Sequence, residues 1–333
     1  MSQMVQPESF LREADVSRVK EYIREITEHS FAGTSVGDVL DDVLRSTGKM
    51  IRPRLLLLCA GLGPDYQEHY ENLCLEAAMV ELTHIASLVH DDIVDDAPFR
   101  RGLPSIQGKY GKDAAVYAGD FLIARVNRFE AERNLSGTAS ILSDTMEHMC
   151  IGEIGQSRIR YHLDVTKEDY LENIKGKTAY LFRAACLIGA RGGGLEQEDQ
   201  KALSELGCKI GIMFQLRDDL LDFTSSTSKE GKQTHKDFHD GIYTMPLLMA
   251  LESEGGREEL LPMMEKNQKC RLSDEEILQM EDAVRRHGGI SATVDAIHLL
   301  YNQCIQLLNQ VSDEGTVGSK LRIQKLLERL QNG

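Results

Sequence analysis

Tryptophan is absent from this 333-residue chain and prolines number only 7, so few positions forbid long, uninterrupted helices. The 7 cysteines (Cys59, Cys74, Cys150, Cys186, Cys208, Cys270, Cys304) are scattered, odd in total and without a C-x-x-C pair. That spacing supports no disulfide framework and predicts reduced, mostly buried thiols. Cations are in deficit too: 38 Lys plus Arg against 53 Asp plus Glu leave a formal net charge of -15. Nonspecific attraction to nucleic acid is therefore disfavoured, and no nucleic-acid partner is expected. The best apolar run, Leu55 to Ala60, falls far short of the roughly 18 to 20 residues that span a bilayer. The opening Met-Ser-Gln-Met-Val-Gln-Pro carries no basic-then-apolar signal, so the expected location is cytoplasmic, with peripheral membrane contact for product release at most.

What is present is helical periodicity. Apolar residues recur at three-and-four spacing in Leu73, Ala77, Val80, Leu82, Ile85, Leu88 and Val89, which predicts a buried helix. The same pattern predicts helices over 114–129, 139–154, 170–188, 200–223, 245–251, 275–286 and 290–311. Strand alternation between hairpin turns is missing, so the predicted fold class is all-α. Glycine and proline clusters at 61–64, 101–104 and 191–194 fall where helices should end, and none resembles a domain linker. A single domain over 1–333 is expected. The polar stretch Thr224 to Gly241 is expected to be a loop over a site.

Two acidic clusters share one spacing: Asp91-Asp92-Ile93-Val94-Asp95 and Asp218-Asp219-Leu220-Leu221-Asp222. On a helix the first and last Asp of each lie about 40° apart and the middle one about 100° from the first. A single D-D-x-x-D is commonly a solvated charge run. Two copies, each preceded by apolar sequence (Ile85 to Val89, Ile212 to Phe214), point elsewhere. Carboxylates one turn apart repel unless a cation sits between them. With oxygen ligands only, Mg²⁺ is the expected metal, and its habit of completing its shell with phosphate oxygens makes a diphosphate the natural ligand. Local cations fit that reading: Lys49, Arg52 and Arg54 open an early helix, Arg100-Arg101 follow the first cluster, and Lys177-Thr178 lie between the two.

The segments Glu81 to Gly102 and Gly211 to Phe223 resemble the first and second aspartate-rich motifs of the trans-isoprenyl diphosphate synthase (polyprenyl synthetase) family, in the family's order. The resemblance implies the isoprenoid synthase fold, an antiparallel helical bundle around a central cavity, with the clusters facing each other at its mouth. It assigns Asp91, Asp95 and Asp218 as principal ligands of about three Mg²⁺ per site, supported by Asp92, Asp219 and Asp222. Arg100, Lys177, Thr178, Gln215 and Lys232 match positions that hold the allylic diphosphate, and Lys49, Arg52, His84 and Arg101 match the isopentenyl diphosphate pocket. The implied reaction ionises the allylic diphosphate, lets the isopentenyl double bond attack the carbocation and returns a proton to the released diphosphate. Tyr180 is expected either to support the cation or to pack. One departure stands in Asp240-Gly241-Ile242-Tyr243-Thr244-Met245-Pro246: Ile242 occupies a position where many members carry a lysine, and Lys236 or His239 is the expected substitute.

In the family, side chains beneath the first motif limit product length. Ala86 and Ser87, five and four residues before Asp91, are small, which implies a product of twenty carbons or more, such as a quinone side-chain precursor. The deeper floor is left among Met79, Leu82, Ala78, Phe121, Leu122 and Arg125. A homodimer is expected, or a heterodimer with a small regulatory subunit in which this chain is catalytic. Terpene cyclases share the fold and the ionisation but not the isopentenyl diphosphate pocket. A regulatory subunit with a decayed site is disfavoured by two intact clusters.

Overall fold

The computed structural model describes residues 13–28, 31, 33–45, 48–224, 236–315 and 318–332. In chain order its helices are α1 (Glu13–Glu28), α2 (Ser35–Arg45), α3 (Ile51–Ala60), α4 (Tyr70–Val94), α5 (Ile106–Tyr110), α6 (Lys112–Glu132), α7 (Ser136–Ile159) and α8 (Lys167–Ile174). A π turn (Lys175–Ala179) leads into α9 (Tyr180–Gly192), followed by α10 (Gln197–Thr224), α11 (Lys236–His239), α12 (Met245–Ala250), α13 (Glu254–Asn267), α14 (Asp274–Arg286), α15 (Gly289–Gln310) and α16 (Ser319–Asn332). Between α4 and α5 the strands β1 (Phe99–Arg100) and β2 (Leu103–Pro104) pair antiparallel. This hairpin corrects the strand-free expectation: two residues per strand are too few to show alternation.

The chain forms two compact units. The first comprises Met1–Asp144, Leu181–Ser204 and Val311–Ile323. Its core is α4, packed on α1, α3 and α6, with every residue from Leu73 to Thr83 buried. A helix apolar on all sides belongs inside a protein or a bilayer. By length and composition α4 would pass for a membrane span, contrary to the expectation that nothing approaches one, yet 78% of its most apolar window is buried inside the protein.

Among the buried acids of that core are Glu76 and Glu130. Glu76 on α4 accepts from the Thr138 hydroxyl at 2.5 Å, while Glu130 on α6, 4% exposed, has an Oε1 with no hydrogen-bond partner. Burial, and then the charge of Glu76, push the Glu130 carboxyl up to about 7. A raised acid leaves the folded state holding a proton the unfolded chain has released, so stability falls as pH climbs from the unfolded value of 4.5 toward about 7 and stays reduced above. Glu130→Gln is expected to raise the melting temperature by about 2 °C at pH 8 and by nothing at pH 4. Scanning calorimetry showing equal gains at both pH values would refute it.

The second unit comprises Thr145–Tyr180, Glu205–Gln310 and Gln324–Gly333. In it α12 packs on α14 and α15, and α13 on α14. Thr166 and Asp169 form a capping box that starts α8, and Ser273 and Glu276 do the same for α14. The helix expected over 170–188 is interrupted by the π turn, whose one-residue widening leaves the apolar periodicity nearly intact and so escapes it. Of the expected loop over 224–241, residues 225–235 lie outside the described set and Lys236–His239 form a single helical turn. Cys59, Cys74, Cys186 and Cys304 are buried, Cys208 is half-buried, Cys150 and Cys270 are exposed, and none is in a disulfide.

Candidate active site

In the first unit the acidic cluster sits at the C-terminal end of α4. Asp91 is half-buried and inside the helix; Asp95, expected inside it too, is the capping residue just beyond, though its N–H still reaches the Asp91 carbonyl at 2.9 Å. Asp92 turns inward, 4% exposed, and pairs with both Nε and Nη2 of Arg100 at 2.7 Å. Arg100, expected on diphosphate, therefore braces the cluster from the hairpin. The tight turn aims its neighbour the other way: Arg101 adopts φ 51° ahead of Gly102 at φ 79°. A left-handed arginine costs on the order of 1 kcal/mol, and what that strain secures is a guanidinium seated over Gly48, where a Cβ would lie only 2.7 Å from Nη1.

Beside that contact α3 and α4 complete a cationic pocket. Arg52 is half-buried against the Phe182 ring, 4.4 Å from its centroid, and its Nε is buried with no hydrogen-bond partner. Burial draws the guanidinium down to about 10, Glu81 opposes that and Arg101 adds to it. His84, one helical step from Glu81's turn, is held well below its ordinary value by burial and by Arg52, Arg101 and Arg100, so it is neutral at physiological pH. Buried Glu81 is raised by desolvation and lowered by the same two arginines. Lys49 is exposed just before α3, its carbonyl accepting from Arg54 at 3.2 Å. The four expected residues Lys49, Arg52, His84 and Arg101 thus gather in one unit.

The Ala86 and Ser87 pair separates. Ser87 lies about 40° from Asp91 around α4 and is half-buried, whereas Ala86 is about 140° away and 1% exposed. Of the deeper candidates, Phe121 meets Phe31 edge-on at 5.6 Å, and Arg125 donates to the Ile26 carbonyl at 2.5 Å.

In the second unit all three acids of the second cluster lie within α10. Asp218 is exposed and Asp222, one turn on, is half-buried. Asp219 points inward, taking hydrogen bonds from the Tyr170 hydroxyl and, at 2.9 Å, from Gln215 Nε2. Burial, with Asp237 and Asp218 adding, raises it to about 7 despite those bonds. Gln215 also accepts from the Thr178 hydroxyl at 3.0 Å, so both ends of an amide expected on diphosphate serve to orient Asp219. Lys177 sits 2.8 Å from Glu153. Tyr180 stacks on His148, centroids 4.0 Å apart, which favours the packing role. Lys232 lies outside the described residues, as does the Lys236 side chain, and the His239 carbonyl accepts from Tyr161 at 2.9 Å. Tyr170, Glu153 and Asp237 carried no signal in the sequence, since each acts through a residue distant along the chain.

The polyprenyl synthetase profile matches residues 34–280. The chain belongs to that family. The synthase is 37% identical over 246 residues to heptaprenyl diphosphate synthase component 2 of Geobacillus stearothermophilus, covering 74% of this chain and 75% of the relative. Its structure matches a decaprenyl diphosphate synthase from Rhodobacter capsulatus (TM-score 0.85, 29% identity, 98% of each chain). It also matches a polyprenyl synthase from Caulobacter crescentus complexed with calcium and isoprenyl diphosphate (TM-score 0.86, 26% identity, 100% of this chain and 99% of that one). The fold is the all-α isoprenoid synthase fold, and the synthase is a trans-polyprenyl diphosphate synthase, a prenyltransferase that condenses isopentenyl diphosphate with an allylic diphosphate.

The donor set suits a hard divalent cation. Asp91 and Asp95 are half-buried, and exposed Asp218 stands one turn from half-buried Asp222, while Asp92 and Asp219 are tied inward. Among the described residues no three His, Cys, Asp or Glu side chains converge as a protein-only cage. Mg²⁺ needs none, because it keeps waters and takes phosphate oxygens.

Proposed function

We propose that the synthase is the catalytic chain of a medium- to long-chain polyprenyl diphosphate synthase, making products of twenty carbons or more. The observation that carries the acceptor site is the half-buried Arg52, with its buried and unpartnered Nε, beside Arg101 and neutral His84. In a chain of net charge -15 such a pocket is costly unless an anion completes it. Lys49, Arg52 and Arg101 hold the diphosphate of isopentenyl diphosphate, and neutral His84 donates one hydrogen bond to it. Asp91, Asp95 and Asp218 would hold about three Mg²⁺, which neutralise the departing allylic diphosphate when bound. Lys177 in the second unit, and Arg100 in the first, which also pairs with Asp92, are each assigned to the allylic diphosphate. Asp92, Asp219, Gln215, Thr178 and Tyr170 fix the geometry of the acids. Burial and three arginines depress the basicity of His84, which leaves it a poor proton acceptor, so the released diphosphate takes the proton.

Because the Geobacillus relative is named a component 2, a small partner chain is the second expected element of this enzyme. A cytoplasmic location fits a chain that draws on soluble diphosphates. The deciding assay incubates purified chain with labelled isopentenyl diphosphate, Mg²⁺ and primers of ten, fifteen and twenty carbons, alone and with a candidate small subunit. Elongation past twenty carbons that stops on chelation is expected. Absence of incorporation under every condition would sink the proposal. Ser87→Phe should shorten the longest product by at least one five-carbon unit, since the ring enters on the Asp91 side of α4. Ala86→Phe should instead lower stability by about 1 to 3 kcal/mol through overpacking.

A further inference from the structure

Lys177 and Thr178 lie inside the π turn, a wide and rare helical geometry that persists only where its surroundings hold it. One helix supplies that hold. A Cβ on Gly152 of α7 would stand 2.7 Å from the Lys177 backbone nitrogen and 2.9 Å from both the Asn173 carbonyl oxygen and Gly176 Cα. Reciprocally, a Cβ on Gly176 would stand 2.7 Å from the His148 carbonyl oxygen and 2.8 Å from Gly152 Cα. These neighbours are backbone and cannot swing aside, so α7 and the widened turn meet main chain to main chain. One turn before Gly152, the His148 ring stacks on Tyr180 at 4.0 Å and 14°. Just after it, Glu153 reaches Lys177 at 2.8 Å.

We propose that this face of α7, His148 with Gly152 and Glu153, is the positioning element that holds the π turn open and thereby aims the Lys177 ammonium and the Thr178 hydroxyl; the inference rests on the reading of Lys177 as a diphosphate ligand. Without the turn's extra residue, everything on one side of it rotates by about 100° relative to the other. Lys177 would then leave Glu153, and Thr178 would leave Gln215. Gly155, nearly one turn further along α7, is the internal control: a Cβ there meets only the Asn173 side chain, Oδ1 at 2.5 Å and Cγ at 3.7 Å, which can rotate.

The test uses the full chain with Mg²⁺, steady-state kinetics in each substrate, and calorimetric titration with a non-hydrolysable allylic thiodiphosphate. Gly152→Ala is expected to lower kcat by about tenfold or more and to weaken the analogue about fivefold, leaving KM for isopentenyl diphosphate within about twofold. Gly155→Ala is expected to stay within about twofold of the parent in every parameter. Glu153→Ala should weaken the analogue about fivefold, and Glu153→Gln, whose amide oxygen still accepts from Lys177, should recover most of that loss. Gly152→Ala indistinguishable from Gly155→Ala would overturn the proposal. If Gly152→Ala does not fold by circular dichroism, the Glu153 pair decides: unchanged analogue binding in Glu153→Ala overturns it equally. Lys177→Ala separates the two levels, because unaltered kcat and binding there would instead refute the underlying role of Lys177.

Discussion

Asp91→Ala and Asp218→Ala should each lower turnover by about 10³-fold or more with the circular dichroism spectrum unchanged, the size expected when one strong electrostatic contact to a developing anion is lost. The two acids are chosen because the structure leaves them at the site rather than in the scaffold: Asp91 is half-buried and Asp218 exposed, whereas Asp92 is paired with Arg100 and Asp219 with Tyr170 and Gln215. Removing Asp92 or Asp219 should therefore act differently. It strands the half-buried Arg100 or the buried Tyr170, so thermal stability falls along with activity. Single-turnover rates beside melting curves distinguish the two classes. Near-normal turnover in Asp91→Ala or Asp218→Ala would remove both from the metal site.

Arg52→Met should raise KM for isopentenyl diphosphate by about 10²-fold, equivalent to about 2.7 kcal/mol, with KM for the allylic primer close to that of the parent. Arg52 is half-buried, faces Phe182 at 4.4 Å and keeps a buried Nε without a partner, which leaves a donor for an incoming anion. Methionine fills much of the same volume, which limits the packing loss. Arg52→Lys should recover little, because an ammonium cannot reproduce the planar fork. His84 is neutral because burial and three arginines depress it, so KM for isopentenyl diphosphate should show no step near pH ~6.5, where an ordinary histidine titrates. A clear inflection there, or an unchanged KM in Arg52→Met, would displace the acceptor pocket.

The two acidic clusters and the cations around them were legible because each is a local pattern: acids one helical turn apart, in apolar sequence, in a chain otherwise short of positive charge. The helices were legible for the same reason, as α4, α10 and α15 repeat their apolar residues at a helical period. Partners were less legible than positions. Arg100 and Gln215, expected on substrate, also touch Asp92 and Asp219. Tyr170 carries no signal in spacing because its hydrogen-bond partner lies 49 residues away, and Glu153 and Asp237 likewise act on residues in other helices or turns.

Local interactions along the chain thus determined the helical class, the two carboxylate turns and the identity of the chemistry, since period, charge and motif order all act over a few residues. Tertiary structure alone decided which acid of each cluster is tied inward, that half-buried Arg52 sits beside a neutral His84, and that a π turn carries Lys177. Those outcomes depend on which neighbour desolvates or contacts each side chain. Contacts such as Gly152 against Gly176 join segments far apart in the chain, so no spacing rule encodes them.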